Sequence, residues 1–359
     1  MRAWWQLLTT DEQHRLVVRH AAALGAADGV PLAVRAAANE LRLARDIARL
    51  SRERPPAGRP PWLLGTCLAV ADALGHARAQ RDPVTGRRLP ASLLVYRPAA
   101  FGGQGRAAVA VGDVSRADNV AVLVPGLGST VGATLRDLTV TAARVTALAR
   151  ATSPQEATAT IAWTAYDAPN LLQVAGDAAA VTGAPLLTSD LRALRAASGD
   201  AMHLTAVGHS YGSTTVGTAL RAHSAGVDDV VLLGSPGANV ERAAALRVPA
   251  GHVWAGAASR DPVSYLDRFG ADPSQEGFGA TRFRAEDSAR HPVMLSFGDH
   301  SRYFAPGSES LTNVVRVVVG DGDAVSVATY RRETPWLPDG IAADPEADRP
   351  PAGTAGRSW

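Results

Sequence analysis

The sequence predicts an α/β protein, a mainly parallel sheet with helices on both faces, preceded by a helical N-terminal region. Three observations carry that expectation. From about residue 91 onward, apolar strand-like runs alternate with helix-compatible stretches, the pattern that closes into a parallel sheet. One run, Asn119 to Val124, is apolar at every position after its asparagine, as a strand buried on both faces must be. The third is a serine between two glycines, Gly208-x-Ser210-x-Gly212, where an apolar run meets a small-residue, helix-compatible run.

Residues 1–85 read as the helical region. Thr9-x-x-Glu12 and Thr10-x-x-Gln13 have capping-box spacing and open a helix to about Leu24. Gly25 to Gly29 form a break, and Pro31 suits the first turn of a second helix. In that helix Val34, Ala38, Leu41, Ala44 and Ala48 fall on one stripe. Arg54 to Pro61 is a proline-rich linker into a third helix of about Leu63 to Ala79.

Residues 86–335 read as the α/β catalytic domain. Strands are expected at Ser92 to Tyr96, Ala107 to Gly112, Asn119 to Val124, Thr158 to Trp163, His203 to Val207, Val227 to Leu233 and His252 to Ala255. A helix of about Thr130 to Ala149 separates two of them. One or two helices between Gln173 and Ala197 are expected to break near Gly183 and Pro185. Residues 336–359, rich in Pro, Asp, Ala and Gly, read as a disordered tail.

Composition excludes several functions. All 36 basic residues are arginine, so neither a Schiff-base lysine nor a P-loop lysine is present. A net charge of +2 without a polybasic tract argues against nucleic acid as a partner. Cys67, the only cysteine, can close no internal disulfide and reads as an inert buried thiol. Met1 to Asp11 has no uninterrupted apolar h-region, and no apolar run reaches membrane-spanning length. The expectation is a cytoplasmic protein that uses no metal or cofactor and whose partner is a small molecule rather than nucleic acid. Nothing in the sequence speaks to oligomeric state.

The glycine-flanked serine has the layout of a nucleophile elbow, a strand-to-helix turn so sharp that the serine is lifted out of it. A serine hydroxyl needs a base to take its proton, and the base needs a third group to hold it. Ser210 is followed by Asp261 after the strand at His252 to Ala255, and then by His300 in Gly298-Asp299-His300-Ser301. That chain order is the one this elbow uses. Asp228, Asp229 and Asp267 compete with Asp261 for the acid. His209 sits inside the elbow and reads as packing, and Asp299 reads as pointing away. The oxyanion donors expected are the backbone N–H groups of Tyr211, next after the nucleophile, and of Leu127 in Val124-Pro125-Gly126-Leu127-Gly128-Ser129. Ser129 or Thr130 is expected to cap the following helix. A rival reading takes Gly126-x-Gly128-x-x-x-Gly132 as a dinucleotide-binding turn for a nicotinamide oxidoreductase. Two earlier strands precede it and no acidic residue closes the next strand, both of which count against that reading.

Several strings together resemble a known group. They are Leu24-Gly25 with Asp28-Gly29-Val30-Pro31, Arg35 and Asn39; Pro125-Gly126-Leu127-Gly128; Ala162-Trp163-Thr164-Ala165-Tyr166-Asp167-Ala168-Pro169; Gly208 to Ser213; and His300-Ser301-Arg302-Tyr303-Phe304. Over residues 10–320 the chain resembles an alpha/beta-hydrolase family of high-GC Gram-positive bacteria that is carried as a domain of unknown function. The resemblance implies the alpha/beta-hydrolase fold and a Ser-Asp-His triad, and it implies no particular substrate. Asp167, beyond the strand that ends near Trp163, either touches substrate or serves that turn structurally. The function expected is a serine hydrolase cleaving a carboxylic ester or thioester through an acyl-enzyme. Amide hydrolysis and acyl transfer would use the same groups, and a non-catalytic interaction protein on a hydrolase scaffold is the alternative.

Overall fold

The computed structural model describes residues 2–27, 29–52, 62–198, 201–287, 295–332, 344–347 and 349. Asp28, the expected linker at Arg54 to Pro61 and most of the expected tail at 336–359 lie outside the described residues. Eight strands are ordered β1-β2-β4-β3-β5-β6-β7-β8. They are β1 (Ala91–Arg97), β2 (Arg106–Val111), β3 (Asn119–Val124), β4 (Thr158–Thr164), β5 (His203–His209), β6 (Asp229–Leu233), β7 (Val253–Gly256) and β8 (Thr281–Phe283). Pairing is parallel between β3 and β4 and from β5 through β8, and antiparallel at β1–β2 and β2–β4. The helices are α1 (Arg2–Gln6), α2 (Thr10–Leu24), α3 (Leu32–Arg52), α4 (Trp62–Ala79), α5 (Val131–Thr152), α6 (Ala178–Ser198), α7 (Tyr211–Ala222), α8 (Phe297–His300) and α9 (Glu309–Val318). Among the described residues no helix is long and apolar enough to cross a membrane.

The chain forms two compact units. The first holds the described residues up to Leu123, with Gly128–Ala168 and Ser189–Met202. The expected capping box opens α2: the Thr9 N–H donates to Glu12 Oε2 at 2.8 Å, and the Glu12 N–H reaches back to Thr9 Oγ1 at 3.3 Å. Helix α3 packs on β1, which shifts register between Leu93 and Val95. Asn39, fully buried on α3, donates to the carbonyls of Leu93 and Leu94 at 3.2 and 3.1 Å, satisfying backbone that the irregularity disturbs. Arg35 donates to the Ala27 carbonyl at 2.9 Å, so Arg35 holds the preceding turn as Asn39 holds the strand. Cys67 is buried with Sγ 3.2 Å from the Tyr96 hydroxyl, and burial pushes its thiol up, as an inert thiol requires. Thr130 caps α5 by accepting from the Ala133 N–H at 3.1 Å.

The second unit holds Val124–Leu127, Pro169–Thr188 and the described residues from His203 on. Strand β6 is buried at all five positions and β5 at every position but its ends, so both faces are covered. Helices α7 and α9 are packed on these two strands. Strand β8 and α9 lie beyond the last strand the sequence pattern marks, although Leu311, Val314, Val315 and Val318 of α9 form a buried helical stripe behind a Ser308 cap.

One expectation is corrected. The region around Pro185 does not break: α6 runs on from Ala178 to Ser198 with the proline inside it. Ala180, Ala184, Leu187, Leu191 and Leu194 form one buried stripe through the proline, and their burial outweighs the ~3 kcal/mol an interior proline costs. Of residues 336–359, 344–347 and 349 are among those described. Asp344 is buried, accepts from Arg282 Nη2 at 2.9 and 2.8 Å and from Arg331 Nε at 3.1 Å, and holds both arginines. One carboxylate facing two buried guanidinium groups is a tie that composition does not reveal.

Candidate active site

Only Ser210 separates β5 from α7, and the chain reverses there with φ 56° and ψ −132°. A non-glycine residue at positive φ is strained by about 1–2 kcal/mol. Backbone ties hold it: the Ser210 N–H donates to the Leu233 carbonyl at 2.9 Å, and the Ser213 N–H to the Ser210 carbonyl at 2.9 Å. Ser213 Oγ also donates to the Ser210 carbonyl at 2.6 Å and lies 2.7 Å from Ser235 Oγ. A Cβ on Gly208 would stand 2.6 Å from Ser213 Cα, and one on Gly212 would run into the Val124 carbonyl. The flanking glycines therefore exist because strand, helix and the 124–127 loop pass backbone to backbone. The Ser210 side chain makes no cap bond to α7, which leaves its hydroxyl uncommitted to the helix.

Asp261 follows β7 and is fully buried. Its Oδ2 lies 2.9 Å from His300 Nδ1 and accepts from the Tyr303 hydroxyl at 2.7 Å, while Oδ1 accepts from the Val263 N–H at 2.9 Å. Burial alone would raise this carboxyl, but the hydrogen bond and charge of His300, with the Tyr303 and Val263 donors, hold it below its ordinary value. A carboxylate only accepts, so the proton between the pair is on His300 Nδ1, which in the neutral tautomer leaves the lone pair on Nε2. His300 ends α8, which Ser296 caps by accepting from the Gly298 N–H at 3.0 Å.

The link between this pair and the elbow is His209. Its Nε2 lies 2.9 Å from the His300 carbonyl and the two rings are 4.8 Å apart. Burial, and then the neighbouring His300, push the His209 imidazole down to about 4. It is neutral at pH 7, and because a carbonyl only accepts, Nε2 donates. The packing role expected of His209 is thus a specific one: the residue before Ser210 holds the backbone of His300.

Tyr211 opens α7, so its N–H is one of the unpaired donors of the first turn. Gly126 passes directly over it: a Cβ there would lie 2.8 Å from Ser210 Cβ and 2.9 Å from Tyr211 N. Leu127 comes next in that loop, exposed. The requirement for glycine at 126 follows from the serine it covers and needs no dinucleotide. Asp167 is exposed just past β4.

The competing acids are otherwise engaged. Asp229 sits between His203 and His252, each 3.1 Å away, and accepts from Trp254 Nε1 at 2.5 Å. Asp228 accepts from the Leu204 N–H at 2.7 Å. Asp267, at φ 42°, is raised to about 6 by burial and by Asp272. It is Asp261 that touches His300. Two participants carry no role in the sequence reading. Tyr303 stands three residues past His300, a helical-turn spacing that lets both reach one carboxylate. Gly234 has φ 50°, and a Cβ there would lie 2.6 Å from Asp261 Oδ2.

A family model described as alpha/beta hydrolase matches residues 102–271. The chain is 35% identical over 369 residues to Uncharacterized protein Rv2079 of Mycobacterium tuberculosis, an alignment covering 90% of this chain and 56% of that protein. The chain thus spans little more than half the length of that relative. It is 37% identical over 221 residues to Uncharacterized protein Mb0988c of Mycobacterium bovis, covering 58% of this chain and 82% of that protein. Among solved structures, a Pyrobaculum calidifontis esterase aligns with 78% of this chain and 97% of its own at 11% identity and a TM-score of 0.36. The elbow, the glycine loop over it and the family match lie on the same stretch of chain, which belongs to the alpha/beta hydrolase family.

Proposed function

We propose that the chain is a serine hydrolase that cleaves a carboxylic ester or thioester through an acyl-enzyme, with Ser210 as nucleophile, His300 as base and Asp261 as the acid that orients it. The observation that carries this is the 2.9 Å contact between His300 Nδ1 and a fully buried Asp261, next to a strained serine whose preceding residue is bonded to His300. His300 Nε2 takes the Ser210 proton as Oγ attacks the acyl carbon, and returns it to the departing alkoxide or thiolate. Asp261 stabilises the imidazolium formed meanwhile. The N–H groups of Tyr211 and Leu127 receive the negative oxygen of the tetrahedral intermediate, a contribution of about 3–4 kcal/mol per donor in such sites. Water then attacks the acyl-enzyme by the same proton path in reverse. Exposed Leu127 and Phe297, beside an oxyanion donor and on the helix of His300, suit an apolar acyl group.

Ser210→Ala is expected to abolish labelling by a fluorophosphonate probe and to lower turnover of p-nitrophenyl butyrate by at least about a thousandfold. Normal turnover in that variant, or labelling at another serine, would overturn the assignment.

A further inference from the structure

Asp261 Oδ2 receives two donors at once. His300 Nδ1 lies 2.9 Å from it and the Tyr303 hydroxyl 2.7 Å, so the imidazole and the phenol draw on one oxygen. The other oxygen is engaged by the Val263 N–H at 2.9 Å. The phenol is itself held, because its oxygen accepts from the Ala258 N–H at 3.0 Å. The Tyr303 ring is buried, and it packs so close to Gly234 that a Cβ there would lie 2.7 Å from Tyr303 Cε2. A tyrosine hydroxyl in a fold is commonly anchored to a carbonyl; here it is spent on the carboxylate of the base's partner.

We propose that Tyr303 is a positioning residue that sets how strongly Asp261 holds the His300 imidazole, by donating its phenol proton to the same oxygen that His300 uses. The inference rests on the proposed function, and it concerns how the base is tuned. A hydrogen bond to a carboxylate disperses its charge, so each donor on Oδ2 weakens what the other receives. Removing the phenol hydroxyl concentrates charge on the His300 side and stabilises the imidazolium. The groups facing the pair, among the described residues, are few. His209 approaches from β5 and is neutral at pH 7, Asp261 comes from the loop after β7, and Tyr303 from the segment after α8. Arg331 acts on Tyr303 from farther off. The phenol is pushed well above its ordinary value by burial and by Asp261, so it stays protonated and remains a donor at every working pH.

The test reads His300 directly and needs no substrate. In protein labelled at histidine, the His300 ring resonance is identified by its loss in His300→Gln and followed with pH. In Tyr303→Phe the midpoint is expected to rise by about 0.5–1 unit relative to the parent, with the other histidines unmoved. The acid limb of the kcat/KM profile on p-nitrophenyl butyrate should move up with it. Site-specific 3-fluorotyrosine at position 303 keeps the ring and the hydroxyl but makes a stronger donor, and should move the midpoint down. It answers the question even if the phenylalanine variant folds poorly. Opposite shifts in the two proteins support the proposal. An unmoved midpoint in folded protein of either kind overturns it and leaves Tyr303 as packing. Failure of the hydrolase assignment would appear elsewhere, in the Ser210→Ala and probe experiments, while the His300 titration would still report on Tyr303.

Discussion

Gly234→Ala probes whether the Asp261–His300–Tyr303 cluster is assembled to contact distance. Gly234 sits after β6 with φ 50°, its N–H donating to the Gly256 carbonyl at 2.9 Å. An added methyl group would stand 2.6 Å from Asp261 Oδ2, 2.7 Å from Tyr303 Cε2 and 3.0 Å from His300 Nδ1. Ordinary non-bonded separations are about 3.5 Å or more, so the carboxylate and phenol must withdraw by close to ~1 Å. A displacement of that size costs about a hundredfold in turnover where geometry is set this tightly. The positive φ adds about 1–2 kcal/mol of strain and the overlap about 1–3 kcal/mol. For a chain of 359 residues this is a fall in Tm of about 3–6 °C. Gly279→Ala is the control, since Gly279 has φ 85° and open space where the methyl would go. It shares the strain without the overlap, and should lose about 1–2 kcal/mol of stability while keeping its turnover. The assays are kcat/KM on p-nitrophenyl butyrate, the rate of fluorophosphonate labelling, and thermal unfolding. Turnover within twofold of the parent in Gly234→Ala, or an equal loss of turnover in Gly279→Ala, would refute the packing argument.

Two further outcomes concern stability. At the N-terminal ends of β5 to β7, Asp229 lies between His203 and His252. Burial works against both charges, yet the hydrogen bond and charge between them raise His203 and lower Asp229. The His203 contribution is whole below its unfolded value of about 6.5 and is lost as pH rises through the higher folded value. The Asp229 contribution is whole above about 3.9 and is lost as pH falls through the lower folded value. Asp229→Asn should therefore lower Tm most between about pH 4.5 and 6.5, and a gap to the parent that widens toward pH 8 would contradict this. Asp344→Ala strips a carboxylate from two buried arginines, Arg282 and Arg331, and should destabilise by about 3–5 kcal/mol in denaturant unfolding. A loss below about 1 kcal/mol would show that residues 344–347 contribute little to the unit.

Part of the candidate site was legible along the chain. The glycine-flanked serine turn and the glycine loop over it could be placed because close backbone crossings demand glycine locally, and Asp261 and His300, the acid and base proposed, follow Ser210 in the chain. The Thr9 capping box, strand β3 and the Thr130 cap were legible for the same reason: each depends on residues within a few positions of one another. What failed was non-local. Pro185 suggested a break, but the stripe that overrides it is felt only against packed neighbours. The place of Asp344 between two arginines 62 and 13 residues away is likewise set by packing and not by its neighbours in sequence.

The sequence by itself determined that a glycine-framed serine would end a buried strand, and that an acid and an imidazole would follow it in order. Only the tertiary structure decided which of four aspartates reaches that imidazole, that His209 clasps His300 by its backbone, and that Tyr303 shares the carboxylate. The difference is physical. A turn's conformation is dictated by the residues that make it, whereas a hydrogen bond between groups 39 residues apart, such as His300 and Asp261, exists only once packing has excluded the alternatives.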